Sequence, residues 1–129
     1  LDESKLMDNY VTFLAGILRS VRFGAADAHA RANMVRFNFF ADQGAFSRDP
    51  ESGKYRVDFE RMQAAIEALS RKLLTIQGDG DYAAAKALTD GQGVIGDQLA
   101  ADLAKLEAAG IPIDVRFEQG LEVLGLEAP

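Results

Sequence analysis

The spacing of apolar residues between Phe59 and Ile76 constrains the fold most. Phe59, Met62, Ile66, Leu69, Leu73 and Ile76 recur at alternating steps of three and four, the repeat of one helical face. Asp58 precedes the run, and its carboxylate suits an N-cap. Leu6, Tyr10, Phe13, Leu14, Ile17, Leu18 and Val21 repeat the pattern upstream and predict a helix ending near Gly24. A third run, 26–40, is expected to be largely buried. Ala28, Ala32, Val35 and Phe39 form its stripe, with Met34, Phe37 and Phe40 beside it.

Other segments punctuate these helices. Residues 45–59 hold two short β-prone runs around Asp49-Pro50-Glu51-Ser52-Gly53, whose turn chemistry predicts a β-hairpin. Gly78-Asp79-Gly80-Asp81 is expected to end the Phe59 helix, with Asp81 capping an alanine-rich helix that carries Tyr82, Ala85 and Leu88 and stops at Gly91. A last helix carries Leu99, Leu103 and Leu106 and stops at Gly110. The alternation of Ile111, Ile113, Val115 and Phe117 then predicts a short C-terminal strand. The expected fold is mainly α: a multi-helix domain with one short β-hairpin, in which 1–129 form a single unit without internal repeat or linker.

Composition narrows the function classes. A net charge of -6 argues against nucleic acid and anionic membranes as partners. No apolar stretch approaches the roughly 18 residues of a spanning helix. Zero cysteines leave no disulfide or thiolate and fit a reducing, cytoplasmic compartment. With one histidine, no catalytic zinc set of about three protein ligands is recognisable, so no metal ligands are assigned. The chain opens at Leu1 without an initiator Met, which fits a processed product, an expressed segment or a disordered start left out.

Gly91-Gln92-Gly93-Val94-Ile95-Gly96 matches the dinucleotide fingerprint. That motif requires a strand feeding the turn, whereas 82–89 reads as helix, so an interhelical loop is the better reading. Asp79, Asp81 and Asp90 lack the alternating ligands of a calcium loop and read as caps. Glu60, Glu67 and the other helical carboxylates read as solvated faces. His29 is the one side chain whose ordinary titration lies near neutral pH, and helical spacing puts Asn33 and Arg36 on its face. Such a row suits a polarised carbonyl or a carboxylate; the plainer alternative is a histidine at a packing edge.

Val11-Thr12-Phe13-Leu14-Ala15-Gly16 and Ala28-His29-Ala30-Arg31-Ala32-Asn33-Met34-Val35-Arg36-Phe37 resemble bacterial members of the dipeptidyl peptidase III family of zinc peptidases. So do Gly44-Ala45-Phe46, Tyr55-Arg56-Val57-Asp58, Gly78-Asp79-Gly80-Asp81-Tyr82 and Gly110-Ile111-Pro112-Ile113-Asp114-Val115. The resemblance covers nearly the whole chain. It implies the C-terminal part of a two-lobed peptidase, following the helices that carry the zinc ligands and the catalytic glutamate. Zinc is thus implied for the parent and no cofactor for this chain.

The same resemblance gives His29 a catalytic role, donating to the oxygen that gains charge as zinc-polarised water attacks a peptide carbonyl. Relatives can carry arginine four residues later, to engage the substrate's carboxyl end; here that position is Asn33, leaving Arg31 or Arg36 as candidates. The implied partners are the rest of the peptidase and its peptide substrate. Some relatives are joined to Nudix hydrolase domains, but the Nudix box is not in this sequence. The rival reading is a non-catalytic helical domain whose apolar stripes pack on another chain or another copy.

Overall fold

The computed structural model describes residues 2–114, 120, 121, 123, 125 and 126. Its elements run α1 (Glu3–Val21), α2 (Ala28–Asp42), β1 (Phe46–Arg48), β2 (Tyr55–Val57), α3 (Phe59–Asp79), α4 (Tyr82–Gln92) and α5 (Asp97–Ala108). The mainly helical architecture with one short hairpin matches the expectation from spacing.

Four of the five helices start on an aspartate whose carboxylate takes up an otherwise unpaired backbone N–H. Asp2 accepts from Lys5, Asp27 from His29 and Ala30, Asp58 from Arg61, and Asp81 from Ala84. The two expected caps, Asp58 and Asp81, are both in place. The α3 helix ends on Gly80, which sits at φ 63°, a left-handed conformation that glycine adopts without a Cβ penalty.

The two strands pair antiparallel with Phe46 opposite Val57, Ser47 opposite Arg56 and Arg48 opposite Tyr55. Asp49 holds the turn, its Oδ1 accepting from the Ser52 N–H at 2.6 Å and the Ser52 hydroxyl at 2.8 Å. The hairpin is anchored to the core by its aromatics. Phe37 of α2 lies 4.9 Å from the Phe46 ring and 6.2 Å from the Tyr55 ring, centroid to centroid, within the range in which aromatic pairs add to simple burial.

The core joins Leu14, Ile17 and Val21 of α1, Met34, Phe37 and Phe40 of α2, and Met62, Ala65 and Leu69 of α3. Each of these side chains larger than alanine contributes on the order of 1.5–3 kcal/mol by leaving water. The α2 stripe differs from the expected one at its alanines: Ala28 and Ala32 are exposed and Ala30 is buried, while Val35 is buried and Phe39 packs on the core as expected, beside Met34, Phe37 and Phe40. The long apolar side chains decide the rotation of the helix, because they remove far more area than two alanine methyls. On α3 the expected stripe is buried only through Leu69; Leu73 is 41% exposed.

Two boundaries shift. The α4 helix runs through Gly91 and stops at Gly93. Ile111 and Ile113 lie in irregular backbone, so the expected C-terminal strand does not begin there, and Val115 and Phe117 fall outside the described residues. Arginine contacts hold this segment instead: Arg22 donates to the carbonyls of Ile111 at 2.6 Å and Pro112 at 3.0 Å, and Arg19 pairs with Asp114 at 3.1 Å. These bonds draw the backbone against the end of α1.

Candidate functional site

Helix α2 presents three faces, and the candidate residues divide among them. One face carries Ala30, Met34 and Phe37 into the core. A second carries Arg31, Val35, Asn38 and Asp42, at steps of four, three and four, toward α4. Asn38 Nδ2 donates to the carbonyls of Gln92 at 2.7 Å and Val94 at 2.8 Å, and Asp42 accepts from Gln92 Nε2 at 2.8 Å. The third carries His29, Asn33 and Arg36. His29 and Arg36 are exposed and Asn33 is half-buried.

The third face is the row that spacing anticipates. Arg36 Nη1 donates to Asn33 Oδ1 at 2.9 Å, so the structure joins these two directly. Among the described residues no hydrogen bond or ion pair engages the His29 imidazole. The backbone beneath it is fixed, however, because the His29 and Ala30 N–H groups both donate to Asp27 Oδ1, at 2.8 and 2.9 Å. The Ala30 bond foremost, with that of His29, holds the Asp27 carboxyl below the usual carboxylate range. The Asp27 cap thus sets where the first turn of α2 begins.

Arg31 stands apart from the row. Its aliphatic stem packs over Gly93, where an added Cβ would fall 2.5 Å from Arg31 Cγ and 2.4 Å from the Thr89 carbonyl oxygen. The glycine after α4 therefore serves close packing between α2 and α4. The segment feeding Gly91-Gln92-Gly93 is helix α4 rather than a strand, so the dinucleotide arrangement is not formed.

A polar cluster missed by the sequence reading lies between the hairpin and α5. Arg48 Nε and Nη2 donate to the two Asp102 carboxylate oxygens at 2.6 and 2.7 Å, and the Tyr55 hydroxyl donates to Oδ2 at 2.8 Å. Arg48 and Asp102 are 17% and 14% exposed, which makes the pair stronger than a surface ion pair. The Arg48 guanidinium holds the Asp102 carboxyl well below its usual range; burial, then the hydrogen bond to Asp102, pushes the Tyr55 hydroxyl up to about 12. Both carboxylate oxygens are occupied, so the cluster acts as a clasp rather than an acid or base. The signal for it was Asp102 itself, a carboxylate set among Leu99, Leu103 and Leu106 on one helical face.

Among the described residues no three His, Cys, Asp or Glu side chains gather as a metal site. None of the helices there is long and apolar enough to cross a membrane.

The molecule is thus defined as a mainly helical domain that presents one exposed histidine on α2 and clasps a hairpin to α5. No protein-family model matches it. Dipeptidyl peptidase III from Caldithrix abyssi superposes on 82% of this chain and 20% of its own, with a TM-score of 0.77 and 40% sequence identity. Dipeptidyl-peptidase III from Corallococcus sp. strain EGB covers 90% of this chain and 21% of its own, with a TM-score of 0.81 and 35% identity. Nudix hydrolase 3 of Arabidopsis thaliana is 39% identical over 115 residues, 89% of this chain and 15% of that protein. The chain is similar to a segment of each of the two dipeptidyl peptidase III structures, and it spans about a fifth or less of the length of each of these relatives.

Proposed function

We propose that the chain is the C-terminal, substrate-side segment of a zinc-dependent dipeptidyl peptidase III-like hydrolase, incomplete by itself and inactive alone. The observation that carries this reading is the third face of α2. In a fold shared with two bacterial dipeptidyl peptidase III structures, the single histidine stands exposed beside a linked Asn33–Arg36 pair.

The described residues do not fit a zinc ion, since His29 has no second imidazole, thiolate or gathered carboxylates around it. The metal belongs to residues supplied elsewhere in the longer protein. What this chain contributes is a hydrogen-bond donor. An N–H of the His29 ring is directed at a peptide carbonyl oxygen as it gains charge during hydrolysis, and a preorganised donor of this kind favours the transition state over the bound substrate. Asn33 Oδ1 is engaged by Arg36, which leaves the remaining guanidinium N–H groups of Arg36 and the Asn33 amide for the substrate's polar backbone or carboxyl end. Arg31 has the required charge but lies on the α4-facing side, so Arg36 is the stronger candidate.

A Nudix activity is not proposed: the similarity to Nudix hydrolase 3 covers 15% of that protein, and this sequence carries no Nudix box. The test is release of dipeptides from a chromogenic dipeptidyl substrate by the longer protein and by the 129-residue chain. Hydrolysis by the longer protein only is expected; hydrolysis by the isolated chain, or by neither, contradicts the reading.

A further inference from the structure

A cavity of about 440 Å³ opens between α1, the hairpin and α5, within the size range of small-ligand sites. Its apolar wall is built by Leu18 of α1 and by Leu99, Leu103 and Leu106 of α5. Its polar lining is unusual for so acidic a chain: Arg19, Arg22 and Lys105 stand against a single carboxylate, Asp102. Arg48 grips both oxygens of Asp102 at 2.6 and 2.7 Å, whereas Lys105 reaches Oδ1 only at 3.4 Å from an exposed side chain, so the lysine can turn to a second carboxylate. Among the described residues Arg22 donates only to neutral backbone carbonyls, and no carboxylate there offsets its charge. Arg19 meets Asp114 in a pair whose members are 61% and 63% exposed, and an exposed pair exchanges readily.

From this juxtaposition we infer that the cavity binds a small apolar carboxylate, its hydrocarbon part against the leucines and its head group at Arg22 and Lys105. The leucine wall supplies affinity through burial of apolar area. The cations supply the preference for an anionic head, because a guanidinium whose charge no carboxylate offsets gains most from one. Two sources share this chemistry, a free medium-chain acid and the carboxyl end of a peptide finishing in leucine.

The test is a titration of the ¹⁵N-labelled chain with octanoate, with an amino-blocked tripeptide ending in leucine, and with octanol. Saturable shifts at Leu18, Leu99 and Leu103 are expected with at least one carboxylate, and the tighter of the two identifies the source. Octanol is expected to bind about tenfold more weakly than octanoate. Lys105→Gln, an exposed position whose loss leaves the core intact, weakens the carboxylate several-fold and flattens its salt dependence. Leu103→Trp fills the cavity and abolishes binding; if that variant does not fold, the Lys105→Gln comparison decides alone. No saturable shifts with either carboxylate, octanol binding as tightly as octanoate, or an unchanged affinity in Lys105→Gln overturns the inference.

Discussion

Arg48 and Asp102, 54 residues apart, meet side on through two hydrogen bonds of 2.6 and 2.7 Å, with the Tyr55 hydroxyl adding a third at 2.8 Å. This contact fastens the two-stranded hairpin to α5. A lone hairpin of three-residue strands is marginal in water, so the clasp and the ring cluster of Phe37, Phe46 and Tyr55 fix its position.

Tyr55→Phe keeps the ring cluster and removes only the hydroxyl donor. A loss of about 1.5 kcal/mol is expected, the low end for a hydrogen bond to a charged group, measured by urea unfolding. A companion ultraviolet titration should show one of the three tyrosines ionising at about 12. The folded protein holds this proton more tightly than the unfolded chain does. The contribution is therefore complete below the ordinary tyrosine value of about 10 and lost as pH rises through about 12. Stability in Tyr55→Phe should show no such alkaline loss from this group.

The acid side has the opposite sign. The Asp102 carboxyl is depressed in the folded state, so its stabilisation is present above the ordinary carboxylate value of about 4 and disappears as pH falls through the lower folded-state value. Thermal unfolding of Asp102→Asn should show a lower melting temperature at neutral pH and a shallower decline below about pH 4 than the parent. Identical acid limbs would show that the pair does not form.

The glycines around α4 separate a packing role from a phosphate-binding one. Gly93→Ala sets a Cβ against the Thr89 carbonyl oxygen and Arg31 and should cost about 1–3 kcal/mol, as for other overpacked sites. Gly91→Ala meets nothing within 4 Å inside the helix and should stabilise by up to about 1 kcal/mol. Chemical denaturation of both variants checks the contrast; equal destabilisation would contradict the packing account.

The parts of this fold that were legible in the sequence are those set by local periodicity and local chemistry. The stripe beginning at Phe59, the caps at Asp58 and Asp81, and the Asp49–Gly53 turn all act within a few residues, and the structure carries each. On α2 the expected stripe holds at Val35 and Phe39 but not at Ala28 and Ala32, which have the right spacing but too little area to outweigh Met34 and Phe37. Ile111 and Ile113 do not form the start of a strand: among the described residues no strand lies beside them, and Arg19 and Arg22 hold the segment instead. At the candidate site, the His29, Asn33 and Arg36 row followed from helix geometry alone. The Arg48–Asp102 clasp joins residues far apart in sequence, and only the misplaced carboxylate among the leucines marked it.

In the proposed function, His29 supplies one hydrogen-bond donor to a peptidase site completed by residues outside this segment. The most direct measurement of that role is the turnover number of the longer, metal-loaded protein on a dipeptidyl substrate, with and without His29→Ala. A fall in kcat of about 10²–10³ with a smaller change in KM is expected for loss of a donor to developing charge. An unchanged kcat in a correctly folded variant would contradict the account.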